Sequence, residues 1–140
     1  MKSTLTVVTL GVRELKRSLE FYRDRLGWPA SQPPGADVAF FQAGGVILAL
    51  YPREALAEDA TVDPTGHGFS GITLAHNVRS EREVDDVLEE AKRAGARIVK
   101  TAQQASWGEY SGYFADPDGY LWEVVYNPHW KLDQQGRVVL

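Results

Sequence analysis

The residue best equipped for chemistry in this chain is one carboxylate. In YFADPDGYLWEVVYNP, spanning Tyr113 to Pro128, an aromatic run, a tight acidic turn and a second strand-like run lead to Glu123, which sits among Leu121, Trp122, Val124 and Val125. An unpaired charge in the middle of a sheet is costly. Glu123 therefore needs either a neutralising partner or a solvated space in which its charge can be used. Facing such a space, it is a hydrogen-bond acceptor, a counter-charge for a cationic substrate, or a general base. The competing assignment is a structural carboxylate bonded to Thr9, Thr73 or water.

The segment just before it, ASWGEYSGY from Ala105 to Tyr113, gathers Trp107, Tyr110 and Tyr113 among glycines. Flat aromatic walls with polar edges suit a small-molecule pocket; the alternative for Trp107 is a plug at the end of the sheet. Glu109 reads as solvated, Tyr51 and Tyr126 as rim or core, and Trp122 as core. Asp116 and Asp118 are explained by turn chemistry, in which side-chain oxygens cap backbone amides. His67 shares a sheet face with Gly71 if that strand starts early, whereas His76 has the opposite parity and His129 follows the last strand.

Two similar halves must position these groups. VVTLGV reads as a strand and ELKRSLEFYRDRLGW as an amphipathic helix stopped by Gly27. The strand-like runs Asp37–Gln42 and Val46–Tyr51 then meet at Ala43-Gly44-Gly45, with room for a short extra strand near Trp28. In the second half, Gly71–Ala75 is a strand and Ser80–Ala94 a helix, opened by a Ser80/Glu83 capping box and closed by Gly95. Ala96–Lys100 and the hairpin at Asp116–Gly119 complete it. Both halves read βαβββ, with Thr9-Leu10 answering Thr73-Leu74 and Gly45 answering Gly119. The expected organisation is one domain: a first module 1–51, a connector 52–68 with a short helix at Arg53–Asp59, a second module 69–128, and a tail hairpin 129–140 turning near Gly136.

Alternate residues of a strand face opposite sides. Val8, Leu10, Val12, Ile72 and Leu74 form a large side suited to the helices, while Thr9, Gly11, Gly71, Thr73 and Ala75 form a small side that leaves space. Ala49 falls on the open side, and counting from Gly45 and Gly119 matches it to Glu123. One of Phe40 and Phe41 must join that side. The candidate ligand-binding set is thus Thr9, Phe40, Ala49, His67 and Thr73, with Trp107, Tyr110, Tyr113 and Glu123; Glu123 is the one catalytic candidate.

Composition narrows the partners. A chain of 140 residues, 44% hydrophobic and 24% charged, is sized for one domain with its own core. It has no cysteine, hence no disulfide, thiolate nucleophile or sulfur-based zinc site. A cytoplasmic location is expected, since the start lacks signal-peptide features and no run reaches membrane-spanning length. The net charge of −4, with both signs interspersed, offers no basic stripe for nucleic acid. A small organic ligand is the expected partner.

The paired βαβββ pattern, SLEFYRDRLGW and FADPDGYLWEVVYNP together resemble the glyoxalase, bleomycin-resistance and extradiol-dioxygenase group, the vicinal oxygen chelate superfamily. The resemblance implies an α+β fold whose modules form a curved mixed sheet around a cavity, and often a homodimer. In metal-dependent members, His, Glu or Gln from the first and last strands bind a divalent ion on the concave face. Carried onto this sequence those positions are Val7, Ala49, Gly71 and Glu123, of which only Glu123 is a ligand type, so no cofactor is expected. Two functions follow from the resemblance: a metal-free small-molecule binding protein with Glu123 as polar anchor, or a lyase, isomerase or dioxygenase using a displaced metal site or Glu123 as base.

Overall fold

The computed structural model describes residues 1, 3 and 5–139; Lys2 and Thr4 of the first module and Leu140 of the tail hairpin lie outside them. The chain divides into two compact units, Met1–Ser70 and Gly71–Leu140.

The first unit contains β1 (Val7–Val12), α1 (Leu15–Leu19), β2 (Ala30–Ser31), β3 (Ala39–Ala43), β4 (Val46–Pro52) and α2 (Arg53–Asp59). Its sheet has the order β1-β4-β3-β2, with β1 parallel to β4 and the other neighbours antiparallel. One face carries Leu10, Val12, Leu48, Leu50, Ala39 and Phe41, all buried. Beyond α1 the helix widens over Glu20–Arg25, so that the Leu26 N–H donates to the Phe21 carbonyl five residues back, at 2.9 Å. Phe21 and Tyr22 are both buried there, and Tyr22 packs on Phe41 with ring centroids 5.8 Å apart. Phe41 thus belongs to the helix layer and Phe40 to the face of Thr9 and Ala49.

That second face is less open than its small residues predict. A Cβ on Gly11 would lie 3.3 Å from both the Arg53 Cα and the Leu56 Cδ2, so α2 fills the space at this end.

The second unit contains β5 (Thr73–Asn77), α3 (Glu81–Ala94), β6 (Arg97–Gln104), β7 (Tyr110–Ala115), β8 (Leu121–Tyr126) and the ribbon β9 (Lys131–Leu132) with β10 (Val138–Val139). Its sheet, β5-β8-β7-β6, repeats the first, with β5 parallel to β8. Helix α3 is fixed at both ends. The Ser80 Oγ accepts from the Glu83 N–H at 3.2 Å, while the Glu83 carboxylate accepts from the Arg79 N–H at 3.0 Å. Gly95 ends the helix at φ +103°, a left-handed conformation that costs a glycine little. Between them Val84, Leu88, Ala91 and Ala94 are buried, the larger two contributing about 1.5–3 kcal/mol each. The tail ribbon is tied to the start of α3 by the Arg79 guanidinium, which donates to the Leu132 and Asp133 carbonyls at 3.3 and 2.5 Å.

The registers correct the internal alignment. Thr9 pairs with Ala49, but it is Ala75 that pairs with Glu123; Val7 pairs with Ile47 and Thr73 with Leu121. Thr73 therefore answers Val7, so the correspondence read from the shared Thr-Leu dipeptide is displaced by two residues. The strand begins at Thr73 rather than Gly71, and Ile72, expected under the helices, lies ahead of it at 62% exposure. A displacement of one full pleat preserves side-chain parity, so the assignment of faces survives it.

Gly112 shows how closely α3 approaches its sheet. A Cβ there would fall 2.6 Å from the Leu88 Cδ1, 2.9 Å from the Lys100 carbonyl oxygen and 3.0 Å from the Ala102 nitrogen. Replacing Gly112 with Ala is expected to cost about 1–3 kcal/mol through forced displacement of helix and strand. Gly45→Ala, where nothing lies within 4 Å, should stay within about 0.5 kcal/mol of the parent. Urea unfolding of the two variants checks the contrast, and equal losses would contradict it.

Candidate functional site

Tyr113 and Glu123 form the centre of the candidate site. The turn between β7 and β8 is set by Asp116, whose carboxylate accepts from the N–H groups of Asp118 and Tyr120, both at 2.9 Å, while the Gly119 N–H donates to the Asp116 carbonyl at 3.0 Å. That turn puts Tyr113 directly across from Glu123. The phenol donates to the Glu123 Oε1 at 2.6 Å, a charge-assisted bond and the hydrogen bond the carboxylate makes among the described residues. Thr73, one of the alternatives read from sequence, makes no such bond among the described residues. Burial first, and then the bond to Glu123, push the Tyr113 pKa up to about 12, with the Glu109 charge adding to the effect.

The pair lies on the face turned away from α3. Trp122, Val124 and Phe114 occupy the helix side, Trp122 and Phe114 stacked with centroids 6.2 Å apart. Glu123 and Tyr113 are half-buried, with Thr73 and Ala75 exposed beside them on β5. Lys100 of β6 stands across from Tyr113, its ammonium 5.6 Å from the ring centroid. Sequence reasoning did not single out Lys100.

The other candidates are placed more widely. Tyr110 has the opposite parity to Tyr113 and donates from its hydroxyl to Asp85 of α3 at 3.0 Å, so it does not join Glu123. Trp107 is 66% exposed in the β6–β7 turn, where the Gly108 N–H donates to the Ala105 carbonyl at 3.0 Å, and it plugs nothing in its own unit. In the first unit, Thr9, Ala49 and Phe40 form one row across β1, β4 and β3: Thr9 is exposed, Phe40 half-buried and Ala49 only 2% exposed. His67 is exposed in the connector. His76 is in β5 beside Val124, and the His129 N–H donates to the Asn127 Oδ1 at 2.9 Å.

The corrected register nominates Val7, Ala49, Thr73 and Glu123 as the counterparts of the metal-binding positions, in place of the set containing Gly71. Two are hydrocarbon, one is a neutral hydroxyl, and the carboxylate already accepts from Tyr113. Among the described residues no group of three or more His, Asp or Glu side chains is placed to hold a metal ion. These residues do not fit the divalent ion of metal-dependent relatives.

The model of the Glyoxalase/Bleomycin resistance protein/Dioxygenase superfamily matches residues 4–124. A crystal structure of a glyoxalase-related enzyme from Fulvimarina pelagi is similar at 36% identity and a TM-score of 0.88, covering 99% of this chain and 98% of that one. A glyoxalase/bleomycin resistance protein/dioxygenase from Nocardioides is 29% identical, with a TM-score of 0.73 over 90% of this chain and 84% of its own. The uncharacterized protein YraH of Bacillus subtilis is 29% identical over 125 residues, 86% of this chain and 95% of YraH. Paired βαβββ units and a match spanning most of both of them lead to one conclusion: the chain belongs to the glyoxalase/bleomycin resistance/dioxygenase superfamily.

Proposed function

We propose that the protein binds a small organic molecule, without a metal ion, on the sheet face that carries Glu123 and Tyr113. The observation that carries this reading is the 2.6 Å bond from Tyr113 to the Glu123 Oε1. It holds the carboxylate in place from one side and engages one of its two oxygens. The other remains to accept a hydrogen bond from a ligand, next to an aromatic ring on a half-open face. The residue types at the metal-binding counterparts point the same way.

A homodimer belongs to the same proposal. β1 and β5 each end their sheet, and strand edges of this kind invite pairing with another chain. A cytoplasmic location also belongs to it, supported by the absence of cysteine. No helix among the described residues is long and apolar enough to cross a membrane.

A second reading, a lyase, isomerase or dioxygenase, is favoured by the Fulvimarina pelagi relative, whose structure is described as that of a glyoxalase-related enzyme. Here Glu123 is the base, or a ligand of a displaced metal.

Metal analysis of the purified protein, combined with thermal shifts on the parent and Glu123→Gln, separates the two. The binding reading expects stabilisation by aromatic or cationic compounds, with affinity for the cations falling about tenfold in Glu123→Gln. Near-stoichiometric metal that disappears in the variant would overturn it.

The state of Tyr113 has its own signature. Its folded pKa, about 12, lies above the unfolded value of about 10. A group raised in this way stabilises the fold fully below the unfolded pKa and loses that contribution as the pH climbs through the folded one. Stability from Tyr113 should be constant across neutral pH and vanish between about 10 and 12. Tyrosinate absorbance of the parent minus that of Tyr113→Phe should show one phenol with a midpoint near 12; an ordinary midpoint would mean that neither the burial nor the bond to Glu123 holds in solution.

A further inference from the structure

Two irregularities in β6 decide what lies beside Tyr113. Arg97 pairs with Ala115 and Ile98 with Phe114, so regular pairing would bring Val99 opposite Tyr113 and turn Lys100 toward α3. Instead the register shifts between Ile98 and Lys100, and again between Lys100 and Gln103, leaving Lys100 opposite Tyr113 and Gln103 opposite Ser111. Bulges of this kind bend a strand and re-aim a side chain, and they are over-represented beside active sites. The re-aimed side chain is a cation in a row that also holds an anion.

Across the sheet the row reads Lys100, Tyr113, Glu123, Ala75. Lys100 and Glu123 are two strand spacings apart, about 10 Å along the sheet. No ion pair joins them among the described residues. The Lys100 ammonium instead lies 5.6 Å from the centroid of the Tyr113 ring, whose hydroxyl is engaged by Glu123. With its proton committed, the phenol offers a ligand chiefly its ring. The strip thus presents a positive end, an aromatic middle and a negative end.

We propose that Lys100, Tyr113 and Glu123 form one binding strip for a small amphoteric molecule, its anionic group on Lys100, its flat or aliphatic body over Tyr113 and its hydrogen-bond donor on Glu123. The proposal rests on the reading of this face as the ligand-binding face, and narrows the ligand from any aromatic or cationic compound to one carrying both charges on a spacer. Lys100 becomes a specificity residue, since it discriminates between ligands with and without the anionic group.

Three probes of one size test this on the full chain: para-(aminomethyl)benzoate, which carries both charges, and its halves para-toluate and benzylamine. Calorimetric titration gives the affinities, and the Tyr113 ring signals in NMR report where binding occurs. The parent should bind the amphoteric probe about tenfold more tightly than either half. Lys100→Met, which keeps an unbranched apolar stem, should abolish the preference over benzylamine alone. Glu123→Gln should abolish the preference over para-toluate alone. Equal binding of all three probes at Tyr113, or an unchanged preference in Lys100→Met, would overturn the strip while leaving the binding face standing. Silence of the Tyr113 signals toward all three probes and toward a general fragment set would overturn both.

Discussion

Parallel pairing of the first strand of each module with its last is the constraint on which the remaining arrangement depends. It places β1 beside β4 and β5 beside β8, and the hairpin of each module then adds the outer strands. Once this pairing is set, the pleat sorts every side chain to the helix layer or away from it. Leu74, Trp122 and Phe114 go one way; Ala75, Glu123 and Tyr113 go the other. Glu123 is accommodated in the middle of an apolar strand because the same rule that buries its neighbours turns it outward and brings it a phenol.

Much of this was legible from period-two patterning and from turn chemistry. The helix stops at Gly27 and Gly95, the Ser80 cap, the helix at Arg53–Asp59 and the turning of Ala49 away from the helix side each rest on a local signal that the tertiary structure did not override. The alignment of the two halves was misled by a repeated Thr-Leu dipeptide. Only hydrogen-bond register, a non-local property, reveals that Thr73 answers Val7.

At the candidate site the legible and the hidden are separated by one strand. A turn at Asp116–Gly119 implies that Tyr113 opposes Glu123, so the phenol partner was available to anyone who counted outward from the turn. Tyr110 was grouped with Tyr113 because they share a segment, although their odd separation puts them on opposite faces. Lys100 was beyond reach, because the bulges that aim it have no marker in the residues of β6. Small residues on the open side also misled, since Gly11 makes room for α2 and not for a ligand.

Gly112 ties the two faces of the second sheet together. The volume its missing side chain leaves is bounded by Leu88 on the helix side and by the Lys100 carbonyl and Ala102 nitrogen, the backbone of the irregular stretch itself. Helix and bulge close on the same glycine. A descendant of this chain that filled position 112 would have to lift the helix or straighten β6, and straightening would swing the lysine to the wrong side. The charge presented on the outer face is thus held there by the lack of a side chain on the inner one.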